Sequence, residues 1–119
     1  MNIRGIGIDI VEVRRVKQFL SGGRKFRERI FTKKEIQYCE GQINPAQHYA
    51  ARFAAKEAVW KSLDSRGVSI KNIEVTNLES GRPEVNITGN HIPGHFLVTL
   101  AHSKDYAVAQ AIWTDGESK

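Results

Sequence analysis

At 119 residues, with 40% hydrophobic and 26% charged side chains, the chain has the composition of a single soluble globular domain, with room for one core and not two. No apolar run nears membrane-spanning length and the N-terminus lacks the basic-apolar-small order of a secretory signal, so no membrane association is expected. Cys39 is alone, which excludes a disulfide framework and a cysteine zinc cluster and fits a reducing, cytoplasmic setting. The net charge of +5 is concentrated. Residues 1–34 hold ten basic side chains (Arg4, Arg14, Arg15, Lys17, Arg24, Lys25, Arg27, Arg29, Lys33, Lys34) against Asp9, Glu12 and Glu28. Such a field attracts an acidic partner, whether nucleic acid, anionic lipid or acidic protein.

Residues 3–11 alternate as a strand, with Ile6, Ile8 and Ile10 on one face and Gly5, Gly7 and Asp9 on the other. Two glycines on one face leave room for a helix or a ligand to come close to the backbone. Aspartate is a poor strand residue, so Asp9 marks a candidate site. From Glu12 to Leu20 the pattern turns helical, with Val13, Val16, Phe19 and Leu20 at core spacing, and Gly22-Gly23 stops it. A short helix over 26–31 follows. Thr32 and Glu35 then form a capping box that starts another helix, ending near Cys39 or Glu40. Asn44-Pro45 suits the start of a long helix over about 45–64, which Gly67 closes. Beyond it the chain is strand-rich. Residues 70–78 and 84–88 flank the turn Ser80-Gly81-Arg82-Pro83, and 96–102 and 106–113 flank Ser103-Lys104-Asp105, giving two hairpins. Pro93-Gly94 argues against a long helix between Gly89 and His95, and the polar tail 114–119 is expected to fray.

Within the long helix, Arg52 to Lys61 is an odd stretch. Arg52 and Lys56 share one face, Glu57 and Lys61 another, and Phe53, Ala54, Ala55, Ala58, Val59 and Trp60 fill the directions between. Charges held among apolar neighbours cost free energy unless something pairs with them. The plain alternative is a solvated helix with a Glu57–Lys61 ion pair at (i, i+4), worth a few tenths of a kcal/mol. Asp9 on a strand and Glu57 on a helix are the carboxylates placed least like surface residues. If they converge, they offer hard oxygen ligands for Mg²⁺, the usual partner of substrate phosphates, with Arg52, Lys56, Lys61 and His102 as nearby cations. Taken singly, His102 reads equally as a hydrogen-bonded histidine at a strand end.

Gly5-Ile6-Gly7-Ile8-Asp9-Ile10 with Arg15, Phe31-Thr32 with Glu35, Arg52-Phe53-Ala54-Ala55-Lys56-Glu57-Ala58 with Lys61, Gly81-Arg82-Pro83, and Leu100-Ala101-His102-Ser103 occur in this order. Together they resemble the holo-acyl-carrier-protein synthase family of phosphopantetheinyl transferases, nearly end to end. The resemblance implies an α+β domain, helices packed on an antiparallel sheet, that moves the phosphopantetheine arm of coenzyme A onto a serine of an apo acyl carrier protein. It implies Asp9 and Glu57 as Mg²⁺ ligands and, with Lys61, as the catalytic set. The general base is either Glu57 or a metal-bound water. Arg52, Lys56, Lys61, His102 and Ser103 would contact coenzyme A, and Arg14 and Arg15 the acidic carrier protein. Members of this length form homotrimers with sites between protomers. Departures lie at Asp64-Ser65-Arg66, where relatives often carry glycine, at Ala101, where serine or threonine is usual, and in the short connection 89–94.

The competing reading is a basic nucleic-acid-binding module with Arg14 to Lys34 as its footprint. Only Phe19, Phe26 and Phe31 interleave that stretch, at a spacing that suits a helix core better than a base-stacking platform. It also leaves Asp9 and Glu57 unexplained.

Overall fold

Residues 2–64, 67–89 and 91–116 are described by a computed structural model, so Ser65, Arg66 and the end of the tail lie outside the described residues. The order is β1 (Ile3–Glu12), α1 (Val13–Leu20), α2 (Arg24–Ile30), α3 (Lys33–Glu40), α4 (Pro45–Ser62), a 3₁₀ turn (Ile70–Asn72), β2 (Ile73–Asn77), β3 (Pro83–Ile87), β4 (His95–His102) and β5 (Tyr106–Thr114). The α+β class is as expected, and both hairpins form. The strands divide into two antiparallel sheets, β1-β5-β4 and β2-β3. Asn44 and Pro45 start α4 as the sequence suggests, and the helix ends at Ser62, slightly earlier than Gly67 implied.

Helix α4 lies across one face of the larger sheet, and its alanines allow it to come very close. Ala50, Ala51, Ala54, Ala55 and Ala58 are all buried. Gly5 and Gly7 face the helix. A Cβ on Gly5 would stand 1.9 Å from the Ser62 carbonyl oxygen, and one on Gly7 2.0 Å from that of Ala58. Of the two occupants that the glycines left open, a helix or a ligand, the helix is the one found. Its consequence for β1 is an inverted strand: Ile6, Ile8 and Ile10 point away from α4 and are 65%, 62% and 66% exposed. Strand register places Val108 beside Ile10 and Ile112 beside Ile6, with Leu97 beyond Ile112 on β4, on the same uncovered side.

Helix α1 buries Val13, Val16 and Leu20, but Phe19, expected with them, is partly exposed and meets Phe26 edge-on at 5.6 Å. Phe31 is buried against Tyr49. The three phenylalanines therefore pack on protein and form no stacking platform for bases. Cys39 is buried, and burial pushes its thiol up to about 12, so it stays a packing residue.

The capping box forms, and its glutamate does more than cap. Glu35 Oε1 accepts from Thr32 N–H at 2.9 Å and from the Lys56 ammonium at 2.7 Å, while Oε2 accepts from Val75 N–H at 2.7 Å. Both side chains of this ion pair are 0% exposed, so one dry contact ties α3, α4 and β2 together. Removing one partner of such a pair strands the other charge in the interior. Lys56→Met should therefore lower unfolding free energy by about 3–5 kcal/mol, read by urea titration. A loss below about 1 kcal/mol would mean that Glu35 is adequately served by its two backbone donors.

Candidate active site

Asp9 is the first residue on the glycine face of β1 to carry a side chain, and it emerges where α4 presents Glu57 and Lys61, one helical turn apart. Lys61 Nζ donates to Asp9 Oδ1 at 3.1 Å and to the Ile8 carbonyl at 3.0 Å. The lysine thus reaches across to the strand, and the plain Glu57–Lys61 surface pair gives way to an interhelix-to-strand contact. Glu57 is half-buried. Its carboxyl is pushed up from the ordinary 4.5, first by burial and then by the Asp9 charge, with Lys61 opposing. Two carboxylates that repel each other across one exposed lysine form a seat that favours an added cation.

That balance fits Mg²⁺, a hard ion usually held by one or two carboxylates, with waters and substrate phosphates completing its shell. Among the described residues no cluster of three or more His, Cys, Asp or Glu forms, so a metal at this place would take only these two carboxylates from the protein. Asp9 and Glu57 line a cleft of about 650 Å³ whose walls include Arg15, Phe19, Phe53 and Tyr106. Arg15 is thus brought to the acid pair. Arg14, its neighbour on α1, is exposed to solvent.

Arg52 and His102 line a second cleft, of about 1050 Å³. Register puts His102 on the α4-covered side of the sheet, the same side as Asp9 but two strands away. Arg52 is 4% exposed, donates from Nη2 to Asn77 Oδ1 at 2.7 Å, and lays its guanidinium 4.3 Å from the Tyr38 ring centre. Its buried Nε has no hydrogen-bond partner among the described residues. His102 meets His48 ring to ring at 5.0 Å, and His48 meets Tyr38 at 5.8 Å. Burial lowers the His48 pKa, and the positive charges of His102 and Arg52 lower it further.

Two expected contacts turn out differently. Lys56, expected at a coenzyme A phosphate, is sealed in the interior on Glu35. Its apolar surroundings are met by a carboxylate and not by a ligand. Ser103 uses its hydroxyl in the β4–β5 turn, where Oγ accepts from Asp105 and Tyr106 N–H, both at 3.3 Å. Sequence reasoning missed His48. The signal available was its (i, i+4) spacing from Arg52 on a helix already suspected of holding buried cations.

The 4′-phosphopantetheinyl transferase superfamily matches residues 5–111. Among curated relatives, a holo-[acyl-carrier-protein] synthase of Thermodesulfovibrio yellowstonii is 45% identical over 114 residues, covering 94% of this chain and 99% of the relative. Another, of Geobacter sp. strain M21, is 46% identical over 121 residues, covering 92% and 97%. A crystal structure of the Bacillus anthracis holo-(acyl-carrier-protein) synthase in complex with CoA (3′,5′-ADP) superposes with a TM-score of 0.83. It is 36% identical and covers 98% of this chain and 100% of that one.

The raised Glu57 carboxyl has a measurable sign. A carboxyl whose folded pKa is above its unfolded value is neutral in both states well below 4.5, and costs the folded state stability as pH rises through the folded value. With metal chelated, Glu57→Gln should therefore melt at or above the wild-type temperature at pH 7, and that margin should shrink toward pH 4. A variant that melts lower at pH 7 would show that the Glu57 charge stabilises the fold instead.

Proposed function

The chain belongs to the 4′-phosphopantetheinyl transferase superfamily, and from that premise we propose that it acts as a holo-[acyl-carrier-protein] synthase. Asp9 and Glu57 lining one cleft with Arg15, and Lys61 bonded to Asp9, is the observation that carries this reading. A serine hydroxyl of the carrier protein attacks the phosphorus of coenzyme A that bears the pantetheine arm. A new O–P bond forms, the pyrophosphate bridge breaks, and adenosine 3′,5′-bisphosphate leaves. Mg²⁺ held by Asp9 and Glu57 would supply charge neutralisation at the pyrophosphate. Lys61, half exposed and bound to Asp9 by one exposed contact, is free to turn its ammonium to the leaving bisphosphate. The serine proton goes to Glu57 or to a water beside the acid pair. Arg52 and His102 meet the outer phosphate groups, and Ser103 holds the turn that presents His102.

The partner is an acidic carrier protein, which Arg14 and Arg15 attract from beside the cleft. The chain works as one domain, and in the cytoplasm, where coenzyme A and carrier proteins meet; among the described residues no helix is long and apolar enough to cross a membrane. Assembly is a homotrimer. The uncovered isoleucine face of β1, continuous with Val108 and Leu97, supports this, since contiguous exposed apolar surface marks an interface.

Incubation with coenzyme A, Mg²⁺ and apo carrier proteins, read by intact mass, should show the phosphopantetheine addition. Asp9→Ala should fold and lose most of it. Reversal of Arg14 and Arg15 to Glu should raise KM for the carrier and blunt its salt dependence. No mass gain on any carrier at saturating Mg²⁺ would overturn the proposed activity. The assembly has its own test: light scattering should give three chains of 13.4 kDa for the wild type and a smaller particle for Ile8→Lys. A wild-type monomer would remove the trimer.

A further inference from the structure

Helix α4 brings a second histidine to the second cleft. His48 stands one turn before Arg52, in ring contact with His102 on one side and Tyr38 on the other. The Arg52 guanidinium closes the row by lying over the same Tyr38 ring at 4.3 Å. The result is a continuous wall, Arg52–Tyr38–His48–His102, in which three of four members can carry positive charge. Arg82, Glu84 and His95 stand elsewhere around the cleft. No ion pair to a carboxylate is found for His48, His102 or Arg52 among the described residues. Arg52 is the most committed member, nearly inaccessible, yet with a buried Nε that has no hydrogen-bond partner among the described residues.

Three cationic groups gathered without a counter-charge repel one another, and each protonation makes the next harder. A dianion inverts that balance, since it pairs with every one of them at once. Resting on the transferase reading above, we propose that His48 is a specificity-determining residue, which together with His102 and Arg52 seats the terminal phosphate monoester of the nucleotide substrate. A bridging phosphodiester or pyrophosphate oxygen carries less charge and cannot satisfy the same row. His48 thereby separates substrates that carry a monoester from those that lack it. The histidine pair also ties recognition to protons. Burial, with the positive charges of His102 and Arg52, lowers the His48 pKa, and a bound phosphate dianion would oppose that and draw a proton onto it.

The test uses binding, so it is independent of transfer. Coenzyme A and dephospho-coenzyme A, which differ only in the 3′-phosphate monoester, are titrated without carrier protein into wild type and into His48→Phe, which keeps an aromatic ring between Tyr38 and His102. Calorimetry in buffers of different ionisation enthalpy counts protons. The wild type should prefer coenzyme A and take up protons on binding it. His48→Phe should lose about tenfold of that preference, the scale of one charge-assisted hydrogen bond, with part of the proton uptake. If His48→Phe folds poorly, as judged by melting, His48→Gln serves in its place. An unchanged ratio of the two affinities, including equal losses on both ligands, would overturn the role of His48. A wild type that does not distinguish the two nucleotides would overturn the phosphate seat itself. A chain that binds coenzyme A in preference to dephospho-coenzyme A but transfers nothing keeps the seat and fails the proposed activity instead.

Discussion

The contact on which the site depends is main chain against main chain. Where β1 passes under α4, helix carbonyls at Ala58 and Ser62 occupy the space that side chains on residues 7 and 5 would need. Glycine in a strand costs about 0.5–1 kcal/mol relative to alanine, and β1 spends two. The return is distance. With the helix lowered onto the strand, the next residue on that face, Asp9, emerges level with Glu57 and Lys61. A methyl group at residue 7 would lift the helix, and the acid pair and the lysine would separate before any of them was itself changed.

The ionisable groups of α4 are held in very different ways, and the differences sort them by task. Lys56 and Glu35 are dry, short and supported by backbone donors, so their contact is expensive to break. Lys61 and Asp9 meet where the lysine is half exposed, and such pairs contribute about 0–1 kcal/mol. A weak pair leaves the lysine able to exchange one partner for another. Arg52 falls between: its guanidinium is buried and stacked, but one N–H is left unused. Strength of attachment, more than charge, distinguishes framework from working residues on this helix.

Much of this could be read from residue patterns. The glycine-aspartate face of β1, the Thr32–Glu35 capping box, the Asn44-Pro45 helix start and both hairpins depend on local rules of period two, capping and turn chemistry. The charges of α4 looked misplaced from spacing alone, and Arg52 and Lys56 are indeed buried. Spacing could not tell what they met. Glu35 and Lys56 are brought together by the packing of α3 on α4, which no local pattern records; the ligand contact for Lys56 is implied by the family resemblance and not by spacing. The exposed face of β1 was hidden for a related reason: Ile6, Ile8 and Ile10 look like a core stripe unless the glycines opposite are understood as the side that a helix must approach. Phe19 fits a helical core period, yet its partner is Phe26 on the next helix, at the surface.

Lys56 and Glu57 are adjacent in sequence, yet one is sealed from water and the other opens on a cleft. An α-helix turns about 100° per residue, so their two environments are separated by a single step of rotation. Deleting one residue in α4 ahead of them would turn Glu57 toward Glu35, setting two carboxylates together in the dry interior, and would swing the lysine out of its socket. Length change in this helix is therefore a graver lesion than most substitutions in it. The segment just before it can take up an added residue far more easily, because Ile43 there is 94% exposed and makes no demand on the core. Insertions and deletions should be sorted accordingly when variants of this chain are built: freely at 41–44, and not at all between Arg52 and Lys61.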